Sequence, residues 1–402
     1  MSMNAALAPR PRPDIAQARF GAGVLLYETT ARRLHTLNTS AALVWRRLDG
    51  LTMLWQVAGS LAEVFSADRS VIEGDVAAVV GRFAELGLLA GETDEQPIVL
   101  PSVAERAREV ALRTQLDART WLTTSGVYHA VGLAFRVRSD DPEVADELER
   151  VLRPLLHPDD HAGHAYSVRR RVHEGTVQWR VYFDGSPLGT VTSSDAATAL
   201  LLWHLNQATL DHTAGVLFFQ AGALQIGERV VMFPGEPGAG ISTLTTALVQ
   251  RGLSYVSDGM AALDVAVGRV LPFPRSICLG GDSHRLFPEL LGAVDLGPDR
   301  AQHGRWHLDP ASIPGATVGT GGRVALVVSP HHSPGAVTRL ERVTDVDALR
   351  LLVDRTFPFE QLGARGFHAL VAVAQQAPVY RLEYSDLEAA CEVVLQLVRE
   401  IR

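Results

Sequence analysis

The sequence predicts a multidomain α/β protein. Three observations carry that reading. The 402 residues are more than one hydrophobic core usually holds. Runs with strand and helix periodicity alternate along most of the chain. A glycine-spaced segment, "FPGEPGAGISTL" (233–244), stands between a strand-like run and a helix-like run, as in α/β domains whose loops bind phosphate.

The first unit spans 14–90. "RFGAGVLLYETTARRLHTLN" reads as two short strands about a turn at "ETTAR", with Val24 and Leu26 sharing a face of the first. In "NTSAALVWRRLDG", Thr39 or Ser40 can cap a helix whose Leu43, Val44 and Leu48 share a face, and Gly50 ends it. A second helix opens at Thr52. A third carries Ile72, Val76, Val79, Val80 and Phe83 at helical spacing.

Residues 91–102, acidic at first and proline-containing, read as a linker. From 103 to 215 the chain mixes classes: an amphipathic helix "DPEVADELERVLRPLL", a strand meander with turns at "HEGT" and "FDGS", then a helix capped by Ser194 or Asp195. From 216 to 402 strands and helices are interspersed, which predicts an α/β layer with the glycine segment near its start.

Composition excludes several functions. A net charge of −8 argues against generic nucleic-acid binding by a basic surface. No apolar run reaches the about 18–20 residues of a membrane span, and residues 1–20 lack the apolar core of a secretion signal, so a cytoplasmic protein is expected. Cys278 and Cys391 have no metal or disulfide spacing. "HPDDHAGH" (His157, Asp159, Asp160, His161, His164) has metal-ligand composition but reads more simply as a polar loop. The pair His331 and His332 is read the same way, so no metal is expected. Arg169–Arg171 reads as a solvated strand edge.

The glycine segment departs from G-x-x-x-x-G-K-[ST] at one letter. Gly235, Gly240 and Ser242 are in register, but Ile241 holds the lysine position. All 37 basic residues are arginine, which points to a GC-rich coding bias. Drift under that bias would turn lysine into arginine, not isoleucine.

Two resemblances follow from these segments. "LHTLNTSAALVWRRLDG" with the closing "FAELGLL" resembles the PqqD-like family, peptide-recognition domains of pathways that modify ribosomally made peptides. The resemblance implies a winged helix-turn-helix fold. It also implies strand addition, in which a precursor leader pairs with Arg33, Leu34, His35, Thr36 and Leu37 and enters a groove drawn from Val76, Val79, Val80 and Phe83. From about 166 onward the chain resembles the HPr-kinase-related family, most strongly over 216–275. That resemblance implies a histidine before the loop, a loop lysine and paired aspartates. Here Gln220, Ile241, and Asp258 followed by Gly259 stand in those places, which implies a degenerate catalytic site. Residual ATP or magnesium binding would use Gly235, Gly238, Gly240, Ser242, Thr243 and Asp258.

The combined expectation is a non-catalytic adaptor without a cofactor. It would present a precursor leader to a modifying enzyme and contact neither nucleic acid nor membrane, with homo-oligomerisation open. The alternatives are an atypical nucleotide-dependent phosphotransferase, a protein that keeps nucleotide as a regulatory ligand, and a DNA-binding regulator that the acidic charge disfavours.

Overall fold

The computed structural model describes residues 7–20, 23–50, 52–65, 69–90, 103–159, 161–173, 175–293, 305–357 and 362–401. The expected linker at 91–102 lies outside them. The chain is a mixed α/β protein that forms two compact units, 1–98 with 358–372, and 99–357 with 373–402. Among the described residues no helix is long and apolar enough to cross a membrane.

The smaller unit begins with an antiparallel sheet, β1 (Ile15–Phe20), β2 (Gly23–Glu28) and β3 (Arg33–Leu37), in that spatial order. The sequence reading missed β1. Its "IAQARF" has few branched or aromatic residues, and pairing of Ile15 to Glu28 through Phe20 to Gly23 sets it in place. Three helices follow: α1 (Thr39–Trp45), α2 (Leu54–Phe65) and α3 (Arg69–Glu85). The cap of α1 is Asn38, whose side chain accepts the Ala41 amide at 2.9 Å, rather than Thr39 or Ser40. Asn is as good an N-cap as Ser, and here it starts the helix earlier.

Leu26, Trp45, Leu61, Val76 and Phe83 form the core between sheet and helices. The Trp45 ring meets Phe83 edge-on at 5.1 Å, and its indole N–H donates to Gln17 Oε1 at 3.1 Å. The N-terminal arm is pinned by backbone bonds from Ala8 to Thr52 and from Arg12 to Leu88. A segment distant in sequence completes the unit. Within helix Gly363–Gln376, Phe367 stacks on Tyr27 at 5.4 Å, and His368 Nε2 donates to the Gln17 carbonyl at 2.8 Å.

The larger unit has two principal sheets. In the first, Leu133–Ser139 and His164–His173 pair in parallel through the crossover helix Pro142–Leu152, and the meander continues to Ser186–Val191. The helix after it, Ser194–His212, is capped by Ser193, one residue before the expected cap. The triplet lies not on an edge strand, as expected, but on His164–His173, an inner strand of the sheet, where Arg169 lies 3.8 Å from Asp140 and Arg170 3.3 Å from Asp141. The core of this layer runs on through Val216, Phe218 and Phe273, across the 215/216 boundary drawn from sequence.

The second sheet has ten strands and places Arg229–Pro234 parallel to Gly322–His332, which is in turn parallel to Val379–Tyr384. Helices Ile241–Gln250 and Leu387–Glu400 bury Leu244, Leu248, Val394 and Val398 against it. The glycine segment therefore sits at the end of a central strand, where a parallel sheet leaves a crevice.

Candidate functional site

Two places on the chain carry the residues singled out from sequence, one in each unit. In the smaller unit β3 is an edge strand: among the described residues it pairs with β2 alone. An edge presents a row of backbone N–H and C=O groups to any extended chain that approaches it. Arg33 and Thr36 are exposed, Leu34 and His35 half-buried, and Leu37 buried. His35 is held by a 2.7 Å contact from Nε2 to the buried carboxylate of Glu28, which also lies 3.4 Å from Arg12. This network fixes the β2–β3 pair from beneath.

The α3 residues sort by burial. Val76 and Phe83 are 1% and 2% exposed and belong to the core, so no partner can reach them. Val79 and Val80 are half-buried and pack only partly against that core. Of the four, those two leave apolar surface at the face of the helix.

In the larger unit the loop 235–240 opens helix Ile241–Gln250, as its glycines predict. Gly238 and Gly240 have φ of +88° and +89°, a region that glycine alone enters without strain. Gly240 is also tightly enclosed, since a Cβ there would lie 2.2 Å from the Tyr384 hydroxyl oxygen.

The inside of this loop is filled by its own side chains. Ile241 is 9% exposed and packs inward beneath the loop. A Cβ on Gly235 would meet Ile241 Cδ1 and the Ala239 Cβ at 3.2 Å each, and one on Gly222 would meet Ile241 Cγ2 at 3.0 Å. Two loop amides have acceptors: Gly235 donates to the Gln220 carbonyl at 3.2 Å, and Ala239 to the Glu236 carbonyl at 3.0 Å. The Ala239 carbonyl accepts from His332 N–H at 3.2 Å, and Tyr384 donates to the Gly240 carbonyl at 3.4 Å.

Beside the loop lies a cleft of about 460 Å³ that contains three arginines, Arg339, Arg355 and Arg381. They do not restore the missing positive charge. Arg355 is bound to Glu236 at 2.6 Å, and Arg339 and Arg381 stand opposite Glu383 and Glu341 in the strand ladder. Three acids thus offset three bases.

Ser242, in the first turn of the helix, is joined to Asp258. Ser242 donates to Asp258 Oδ2 at 2.8 Å, and the Cys278 amide donates to the same oxygen at 3.2 Å. Asp258 Oδ1 is buried without a hydrogen-bond partner. Burial pushes the Asp258 carboxyl above its usual range, against the pull of its hydrogen bonds from Ser242 and Cys278 and of the Arg275 charge. Gly259, where the HPr-kinase resemblance implies a second aspartate, has φ +73°. Thr243 is half-buried in the first turn, and half-buried Gln220 spends its N–H on the Arg355 carbonyl at 2.7 Å. Sequence reasoning missed a second cavity of about 670 Å³, bordered by Trp203, Arg275 and Cys278. Its walls come from separate segments, and no motif joins them.

Residues 23–89 match the family model described as Coenzyme PQQ synthesis protein D (PqqD), so the smaller unit carries a PqqD-like domain. Among solved structures the chain is similar to one described as "TbiB1 in Complex with the TbiA(beta) Leader Peptide". That similarity has 19% identity and a TM-score of 0.20, and covers 21% of this chain and 99% of the other. No curated protein matches the chain.

Two outcomes are expected at the loop. Ile241→Lys forces an ammonium into packed apolar space and costs about 2–4 kcal/mol, measured by urea denaturation, without creating ATP hydrolysis. Asp258→Asn tests the raised carboxyl. Because the folded-state pKa lies above the unfolded one, the aspartate's contribution is full at low pH and is lost as pH rises through the folded value. Asp258→Asn is therefore more stable than the parent at pH 7.5, and thermal melts of the two converge near pH 4.

Proposed function

We propose that this protein is a non-catalytic adaptor that binds the leader of a ribosomally made precursor peptide and presents it to a modifying enzyme. The observation that carries the proposal is the open β3 edge together with the half-buried Val79 and Val80 of α3, both inside the span that matches the PqqD family. An extended peptide pairing with Arg33–Leu37 would take its affinity from backbone hydrogen bonds and its specificity from side chains set against α3. The winged helix-turn-helix reading of this unit belongs to the same proposal.

In this reading the glycine loop of the larger unit is a structural remnant of an HPr-kinase-like domain. A loop filled by Ile241 and Ala239, beside a cleft whose charges cancel, does not fit a magnesium–nucleotide complex. The larger unit then serves as the docking body for the enzyme. The phosphotransferase alternative draws on one observation, the unpartnered Asp258 Oδ1 next to Ser242.

Fluorescence anisotropy with labelled leader peptides from the source genome tests the proposal on the full chain. The full chain is needed because Phe367 completes the small unit's packing. Val79→Asp or Val80→Asp should weaken binding about tenfold or more, roughly 1.4 kcal/mol. Alanine at Arg33 or Thr36 should weaken it less than about threefold, because backbone groups make the pairing. Equal affinity in the Val79 and Val80 variants, with folding intact by circular dichroism, would remove the groove from the account.

A further inference from the structure

Three side chains in the larger unit converge although the sequence separates them. His129 lies on strand Val127–Ala130, which pairs with the short strand Leu156–His157 in a register that sets Val127 opposite His157. His129 and His157 are thus diagonal neighbours across the pair. Their rings stack at 3.9 Å with 13° between planes. Asp159, two residues beyond the strand, returns its carboxylate to both: Oδ2 is 3.2 Å from His129 Nε2 and 3.1 Å from His157 Nδ1.

One backbone hydrogen bond reaches this corner beside the two histidine–carboxylate contacts. The Asp159 amide is placed to donate to His157 Nδ1 at 3.4 Å. His129 Nε2 is buried and forms no hydrogen bond despite its distance from the carboxylate. Three donor atoms, two imidazole nitrogens and one carboxylate oxygen, lie within 4.8 Å of one another. Ligands held at about 2.0–2.1 Å from one metal ion stand about 2.9–3.4 Å apart, and both nitrogen–oxygen separations fall in that range, while the stacked rings require one imidazole to turn about χ2 before both in-plane lone pairs meet an ion.

We propose that His129, His157 and Asp159 form a divalent transition-metal site with zinc as its natural occupant. Two imidazoles and a carboxylate suit zinc, cobalt or nickel, whereas magnesium and calcium prefer all-oxygen shells. The side chains are 32%, 43% and 54% exposed, which leaves room for water to complete the coordination. His164 is excluded, since its Nδ1 is taken by Asp184 at 2.7 Å. A bound ion would tie Asp159 to strand Val127–Ala130. From sequence "HPDDHAGH" reads as a polar loop, and His129 comes from outside that segment.

Calorimetry on the untagged, chelator-treated full chain tests the site with zinc chloride as the probe. One equivalent should bind with a dissociation constant of about 10 μM or tighter, and magnesium should not compete. His129→Ala and His157→Ala should each weaken binding at least about tenfold. Asp159→Asn, on an exposed loop and harmless to folding, should weaken it as well. Cobalt should give visible d–d absorption that the His129→Ala variant loses. Absence of zinc binding to the parent chain overturns the proposal, as does unchanged binding in the variants.

Discussion

Ile241 lies beneath the glycine loop, where it fills space between Gly222 and Gly235. The loop's shape depends on that contact. Two left-handed glycines and the Tyr384 hydroxyl set its path, and the isoleucine gives it an apolar floor where a lysine would bring charge. A phosphate loop works through unspent amides and net positive charge. Here Gly235 and Ala239 amides are spent on neighbouring carbonyls, and the nearby arginines face glutamates. The fold around the loop is retained because Leu244, Leu248 and their partners in Leu387–Glu400 form one packed layer with the sheet. An apolar residue at 241 leaves that layer intact, so the loop keeps its geometry without a charge at that position.

In the smaller unit the organising element is the three-stranded sheet, whose central strand β2 is buried on both faces and whose strand β3 lies at an edge. Tyr27 stacks on Phe367, and Glu28 gathers His35 and Arg12, so β2 is held by aromatic packing and by buried charge pairing. β3 inherits its order from β2 while its outer edge stays without a partner strand among the described residues. Natural sheets blunt such edges or use them. The preference for use here rests on Val79 and Val80, which leave apolar surface on α3.

Much of this was legible in the sequence because it is local. The glycine spacing announced a loop opening a helix, and helical periodicity announced α3 and the helices after 345. Misses arose where distant residues decide. β1 is set by its partner rather than by propensity. The α1 cap moved to Asn38 because several adjacent residues can cap and only geometry chooses. Periodicity grouped Val76, Val79, Val80 and Phe83 on one helix, but only packing separates the buried pair from the half-exposed pair. Phe367 and His129 reach their partners from far along the chain, and no local pattern marks them.

The central claim is that recognition survives in this chain while nucleotide chemistry does not. Isothermal titration of the full chain with ATP and magnesium, beside a titration with the leader peptide, addresses it most directly. The account predicts peptide binding and no heat from ATP and magnesium up to millimolar concentration. Nucleotide binding accompanied by phosphate transfer, with no affinity for the leader, would contradict it.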